Sequence, residues 1–205
     1  MLVKNKYWYF NKVLPSNFCE DIIKTGLAKE KQIAIVGNTK GQITKETLKK
    51  TKKIRNSNVV WLNDPWIFRE IQPYIHAANQ NAGWNFEWDW SESAQFTIYD
   101  KRQHYNWHRD AWDEPYDNKD NLNVHGKIRK ISAIISLSNP KDYKGGELFF
   151  DFEHAYGKPK PYKCQQIKPQ GSIVVFPSDT WHKVSPVVKG NRYSLVIWCL
   201  GKPFK

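Results

Sequence analysis

The sequence predicts a mainly β fold with flanking helices: a closed or double-sheet body of the jelly-roll kind, with N-terminal helices packed against one sheet. Three observations carry this expectation. Short apolar, aromatic and β-branched runs separated by turn residues follow one another from Trp84 onward, and helical periodicity is confined to residues 1–90. Ten tryptophans, ten tyrosines and ten phenylalanines supply the large side chains that half-buried pleated surfaces hold well.

Taken in order, "KYWYFNKVL" is aromatic and apolar enough for an opening strand. In "PSNFCEDIIKTGLAK", Ser16 stands as N-cap, and Phe18, Ile22, Ile23 and Leu27 recur at helical spacing. The Gly-, Thr- and Lys-rich stretch from Gly37 to Ser57 reads as a long loop. Its densest part, "TKETLKKTKKIRNS" from Thr44 to Ser57, reads as a solvated basic segment in preference to a phosphate-binding arm. "NVVWLN" is a short strand. "DPWIFREIQPYIHAANQNAG" follows with Asp64 as N-cap, Pro65 at the first helical position and Ile67, Ile71, Ile75 and Ala78 on one face; Pro73 is expected to kink or split this helix. Strands are then expected over 94–100, 105–110, 129–138, 146–152, 172–177, 180–185 and 192–200. No repeat or linker divides the chain, so 1–205 reads as a single domain, with 1–90 as helical and strand support and 91–205 as the site-bearing β core.

Bulk properties narrow the class further. A chain of 205 residues buries a core without help from disulfides, and its three cysteines are odd in number and irregularly spaced, which argues against a disulfide framework or a structural zinc site and for a reducing compartment. The N-terminal segment lacks a signal-peptide apolar stretch, and no run approaches the roughly 20 apolar residues of a membrane span, so the expectation is a cytoplasmic protein with no membrane partner. A net charge of +12 allows a nucleic-acid partner, but charge alone does not favour one.

The residues that carry chemistry are His108 and Asp110 in "YNWHRDAW", His182 in "FPSDTWHKV" and Arg192 in "KGNRYSLVIW". His108 and Asp110 are two apart, so on a strand both project to one face. Two imidazoles and a carboxylate hold one face of an iron(II) ion and leave the other open, the oxygen-activating arrangement, whereas structural zinc prefers a closed set of four ligands. Arg192 and Ser194 share a strand face and together offer a guanidinium fork and a hydroxyl to a carboxylate. Trp107 and Trp181 flank two of these ligands; on strands they point the other way and are expected to pack a second layer of core.

These residues resemble the iron(II) and 2-oxoglutarate-dependent oxygenase superfamily, in particular its prolyl 4-hydroxylase-like branch with bacterial and phage members. The likeness rests on Tyr99, Tyr105, His108 and Asp110, which match a Tyr-x-x-Gly-x-x-Tyr-x-x-His-x-Asp run; on "YKGGELFF" from Tyr143; on "GSIVVFPSDTWHKVSPV"; and on "GNRYSLVIW". It covers roughly the C-terminal half. The resemblance implies a double-stranded β-helix, iron(II) on His108, Asp110 and His182, O2 as oxidant, and 2-oxoglutarate held at its far carboxylate by Arg192 with hydroxyls from Tyr99 and Ser194. It also implies a hydroxylation that releases succinate and CO2, on a peptide, an amino-acid derivative or another small molecule. Two departures stand out. Arg102 replaces a frequent glycine, which predicts a differently shaped loop before His108, and Arg192 replaces the lysine common in true prolyl 4-hydroxylases, which weakens proline as the inferred substrate.

Two other readings compete. A cupin-like metal or ligand-binding module without oxidase activity would have no need for a basic residue after its last histidine, and a nucleic-acid-directed oxygenase would exploit the positive charge. Demethylases of alkylated bases place a second arginine six positions after the first, where this chain has Trp198. The polar segment from Asp113 to Lys127, which includes Glu114 and Asp117, reads as a lid over the site. His104, His125 and His154 are expected near its mouth.

Overall fold

A computed structural model describes residues 4–34, 45–153, 157 and 160–204 of the chain. The first third alternates short strands and helices: β1 (Trp8–Phe10), α1 (Ser16–Leu27), β2 (Gln32–Ile33), α2 (Lys45–Ile54), β3 (Arg55–Asn56), β4 (Asn58–Leu62) and α3 (Pro65–Asn81). Strands then follow, with no further α-helix among the described residues: β5 (Trp90–Ser91), β6 (Ala94–Tyr99), β7 (His104–His108), β8 (Ile128–Ser136), β9 (Lys144–Gly145), β10 (Leu148–Asp151), β11 (Tyr162–Lys163), β12 (Ile173–Pro177), β13 (Trp181–Val184), β14 (Val187–Lys189) and β15 (Arg192–Gly201). All seven strands expected after Trp84 are present.

Two antiparallel sheets face each other, which is the double-stranded β-helix architecture. The major sheet runs β1-β12-β8-β15-β6-β4-β2, with β5 on the far part of β15, and the minor sheet runs β11-β10-β13-β7-β3. A two-stranded ribbon of β14 and β9 closes one end. Residues alternate along each strand of the major sheet. Phe96, Ile98, Ile131, Ile135, Leu195 and Ile197 join Ile22 of α1 and Ile67, Ile71 and Ile75 of α3 in one apolar cluster, while Tyr99, Ile134, Val174 and Phe176 turn inward against Phe150 and Val184 of the minor sheet. The approach of α1 is close: a Cβ at Gly26 would lie 2.4 Å from the Phe96 ring, so only a glycine lets the helix settle there.

The helices refine the expectations. Ser16 is the first residue of α1, not its cap; the extended Pro15 occupies that place and its carbonyl accepts the Cys19 N–H. Leu27, expected on the buried stripe, is exposed at the helix end. Asp64 and Pro65 start α3 as expected, yet the Asp64 carboxylate accepts from Lys29 Nζ at 3.3 Å instead of capping the helix. Pro73 neither ends nor splits α3, which is continuous through it. The ring sits on the exposed face, clear of the packed stripe of Ile67, Ile71 and Ile75. The expected loop up to Ser57 is a helix from Lys45 to Ile54, because Lys49, Lys50, Lys52 and Lys53 stay exposed while Thr51 turns inward and α2 packs on β3 and β7. The earlier part of that stretch, 37–44, lies outside the described residues. No helix among the described residues is long and apolar enough to cross a membrane, and the three cysteines are free and buried.

Candidate active site

Antiparallel pairing of β7 with β13 sets His108 directly opposite His182. Each imidazole is fixed through its Nδ1, which donates to a carbonyl two residues back: His108 to Asn106 O at 2.7 Å and His182 to Thr180 O at 2.9 Å. With Nδ1 carrying the proton, both Nε2 lone pairs are free for a metal. They face the Asp110 carboxylate, at 3.8 Å from His108 Nε2 to Oδ1 and 3.7 Å from His182 Nε2 to Oδ2.

Asp110 arrives differently from the sequence expectation. The strand ends at His108, and Asp110 lies in the bend beyond it, so alternation on a strand is not what aims its side chain. The loop is held by Ser178 O, which accepts the N–H groups of both Asp110 (2.9 Å) and Ala111 (2.8 Å), while the Ser178 and Ser132 hydroxyls share a bond of 2.9 Å. Arg129 braces it from the other side. Its guanidinium clasps Glu92 at 2.7 and 2.6 Å, lies 3.8 Å from the Trp198 ring centroid and reaches Asp110 O at 3.4 Å.

The electrostatics suit a cation. Burial, reinforced by neighbouring His182, pushes His108 well below the ordinary imidazole value, so it is neutral and available as a ligand at pH 7. Burial alone would raise the Asp110 carboxyl, but the His182 and His108 imidazoles and the Arg129 guanidinium outweigh it and hold the group below the ordinary carboxylate value. Asp110 is 7% exposed, and its Oδ2 is buried with no hydrogen-bond partner among the described residues. An orphaned, ionised oxygen facing two imidazole lone pairs fits a divalent metal, whose charge and empty orbitals complete all three donors. One ligand atom from each of the three residues lies within 4.8 Å of those of the other two.

Arg192 lines the same pocket, 3% exposed, opposite Tyr99 on β6. Its Nη1 donates to Ser194 Oγ at 3.3 Å, its Cζ is 5.4 Å from the Tyr99 ring centroid, and among the described residues no carboxylate pairs with it. The "GG" of "YKGGELFF" makes room: a Cβ on Gly146, which has φ +61°, would stand 2.7 Å from Arg192 Cδ. Burial raises the Tyr99 hydroxyl above its ordinary value, so it is a proton donor.

Other expectations fare unevenly. Arg102 adopts φ 68°, the left-handed conformation that a glycine would supply, so the turn before His108 keeps a glycine's shape. Trp107 and Trp181 do turn away from the pocket of His108 and His182, yet they are half-buried, with Lys183 4.7 Å over the first ring and Arg109 5.6 Å from the second, and they do not form a core layer. His104 touches the Lys53 and Arg102 carbonyls, and His125 faces Asp117 at 4.0 Å; neither joins the metal pocket. Glu114 is exposed, and Asp113 pairs with Arg109. His154 lies outside the described residues. The residue that sequence reasoning missed is Arg55, which enters the pocket from β3.

The profile described as "2OG-Fe(II) oxygenase superfamily" matches residues 94–200, just over half of the chain. The chain belongs to this superfamily. A relative named PKHD-type hydroxylase, from Pseudoalteromonas atlantica, is 35% identical over 106 residues, which are 51% of this chain and 41% of that protein, so the match spans less than half of the relative's length. Among solved structures, a Pseudomonas putida prolyl-4-hydroxylase overlays with a TM-score of 0.67 at 20% identity, covering 96% of this chain and 93% of the other. The viral collagen prolyl hydroxylase from Paramecium bursaria Chlorella virus-1, solved as a 2OG complex, overlays at 0.63 and 18% identity, covering 97% of each. Both share the fold of the superfamily's prolyl 4-hydroxylase-like branch. That superfamily uses Fe(II), 2-oxoglutarate and O2.

Proposed function

We propose that this chain is an iron(II)- and 2-oxoglutarate-dependent dioxygenase, a single oxygenase domain over 1–205 that hydroxylates a protein side chain or a small molecule and releases succinate and CO2. One observation carries the reading: two imidazole Nε2 atoms and a carboxylate oxygen unpartnered among the described residues converge in the same pocket as a buried guanidinium that has no counter-charge among them. In this reading His108, Asp110 and His182 hold the iron, and Arg192, with the Ser194 and Tyr99 hydroxyls, takes the far carboxylate of 2-oxoglutarate.

When bound, the ferrous ion and the keto acid together supply the oxidising chemistry, with O2 as oxidant. The chain's own contribution is position and environment. The Nδ1–H bonds to Asn106 O and Thr180 O lock the two imidazoles in the metal-binding tautomer. Arg192 and Ser194 orient the co-substrate, and Ile134, Val184 and Val196 make the pocket wall apolar, which excludes water. The named activity of the viral neighbour, a collagen prolyl hydroxylase, favours a substrate within a polypeptide. We place the protein in the cytoplasm, in keeping with its three free cysteines.

The test is substrate-stimulated decarboxylation of labelled 2-oxoglutarate with iron(II) and pools of peptides, amino acids and oligonucleotides. We expect iron-dependent succinate from one pool, with Arg192→Met raising the KM for 2-oxoglutarate. Succinate that forms without iron, or that Asp110→Ala leaves unchanged, overturns the reading.

A further inference from the structure

The pocket holds a second buried guanidinium that the proposed chemistry leaves unused. Arg55, 6% exposed, lies on edge strand β3 opposite Tyr105 of β7. Its Nε donates to Ser57 Oγ at 3.1 Å, its Cζ is 4.5 Å from the Tyr105 ring centroid, and that ring in turn stacks on His108 with centroids 3.4 Å apart. The stack delivers the guanidinium to the pocket that His108, Asp110, His182 and Arg192 line. Its Nη2 is buried with no acceptor, and among the described residues no carboxylate pairs with it.

A buried cation without a counter-charge is destabilising, and a fold that retains one leaves an anion's place to be filled. Arg192 is in the same state, and the far carboxylate of the keto acid answers it. In the dioxygenase reading that molecule's other carboxylate would go to the metal held by His108, Asp110 and His182, which would leave none for Arg55. Outside the pocket the positive charge continues. Helix α2 runs directly into β3, packs on β7 and exposes Lys49, Lys52 and Lys53, so the element that leads to Arg55 carries a field that attracts anions.

Building on the dioxygenase reading, we propose that the substrate carries a carboxylate and that Arg55 pairs with it, so that Arg55 selects acidic substrates. A carboxylate fits better than a phosphate. Arg55 has its Nε already engaged by Ser57, Lys49, Lys50, Lys52 and Lys53 stand outside on the surface, and among the described residues no helix N-terminus lines the pocket, so the donors suffice for a monoanion and fall short of a dianion's needs.

The test uses the full chain loaded with Mn(II) to block turnover. It is equilibrated with pools of free amino acids and blocked peptides in matched acid and amide forms, plus phosphorylated counterparts, with and without saturating 2-oxoglutarate. Bound species are counted by mass spectrometry after dialysis. We expect acids to be retained over their amides by about tenfold or more. That preference should vanish in Arg55→Gln and return in Arg55→Lys, which restores the charge. Equal retention of acid and amide, a preference that survives in Arg55→Gln, or phosphorylated species displacing the acids overturns the proposal. Binding of 2-oxoglutarate is measured in the same samples; its failure would sink the dioxygenase reading, while the acid-to-amide ratio still decides the role of Arg55.

Discussion

The two faces of the major sheet come from alternate residues of the same strands, and they share almost no chemistry. Toward α1 and α3 the strands send Phe96, Ile98, Ile131, Ile135, Leu195 and Ile197, each at 1% exposure or less. Toward the minor sheet β6 sends Gln95 and Tyr99, and β15 sends Arg192, Ser194 and Trp198. The period of two is what makes this division available: one set of backbone hydrogen bonds supports a dry core on one side and a polar pocket on the other. Stability and chemistry should therefore be separable by substitution, even between neighbouring residues.

The largest effect lies on the pocket side. Asp110→Ala or His182→Ala should abolish iron-dependent turnover and metal retention while leaving the melting temperature of the metal-free protein near its starting value, since Asp110 sits in a loop held by its backbone bonds to Ser178. A melting temperature that collapses with the ligand would break the separation. On the other face, Phe96→Ala should cost about 3–5 kcal/mol of folding free energy, because it empties space that α1 fills closely at Gly26. Metal affinity of the folded fraction should be unchanged, as read by metal titration below the transition in denaturant.

The same division explains how much was legible in the sequence. Seven of the eleven strands described after Trp84 stand out because each alternates or runs apolar between turn residues, while β5, β9, β11 and β14, of two or three residues each, are too short to show a pattern; the triad and Arg192 stand out because their residue types and spacing allow few other chemistries. The spacing argument for Asp110 is incomplete: spacing two places side chains on a face only while the strand lasts, and here tertiary bonds from Ser178 do the aiming. Arg55 was invisible. It arrives on a two-residue edge strand at the end of a lysine-rich helix, and in the sequence its charge merges with that surface. Helix α2 was missed because its lysines and threonines carry little apolar periodicity, while packing on β3 and β7 supplies what the sequence pattern lacks.

A smaller effect sharpens the contrast through pH. His108 has its folded pKa well below the ordinary 6.5, through burial and the nearby His182. Above pH 6.5 the imidazole is neutral in both folded and unfolded chains and contributes nothing to the balance. Below 6.5 the unfolded chain takes up a proton that the fold refuses, so stability falls as pH falls, by up to about 1.4 kcal/mol per unit until the folded value is reached. Denaturant melts of metal-free protein between pH 7 and 5 should show this slope, and His108→Asn should flatten it. Asp110 titrates in a lower window, since its folded value is also depressed but from the carboxylate range, so its stabilisation is lost only at more acid pH.

The smallest effect tests where the site ends and the scaffold begins. The turn from Asp100 to Gln103 closes with Gln103 N–H donating to Asp100 O at 2.9 Å, and the Arg102 N–H donates to Val187 O at 2.8 Å, tying the turn to β14. Arg102 holds φ 68° at the third position of this turn, where an L side chain is strained and glycine is not. Its side chain is exposed and makes no contact with the metal pocket. Arg102→Gly relieves the strain and gives back part of the gain as added freedom in the unfolded chain, for a net stabilisation of about 0.5–1 kcal/mol, visible as a small rise in melting temperature. If the turn is scaffold alone, affinity for Mn(II) and for 2-oxoglutarate stays where it was. A change in either would show that the loop leading into His108 tunes the ligand it carries, and would move the border between the two regions back to Asp100.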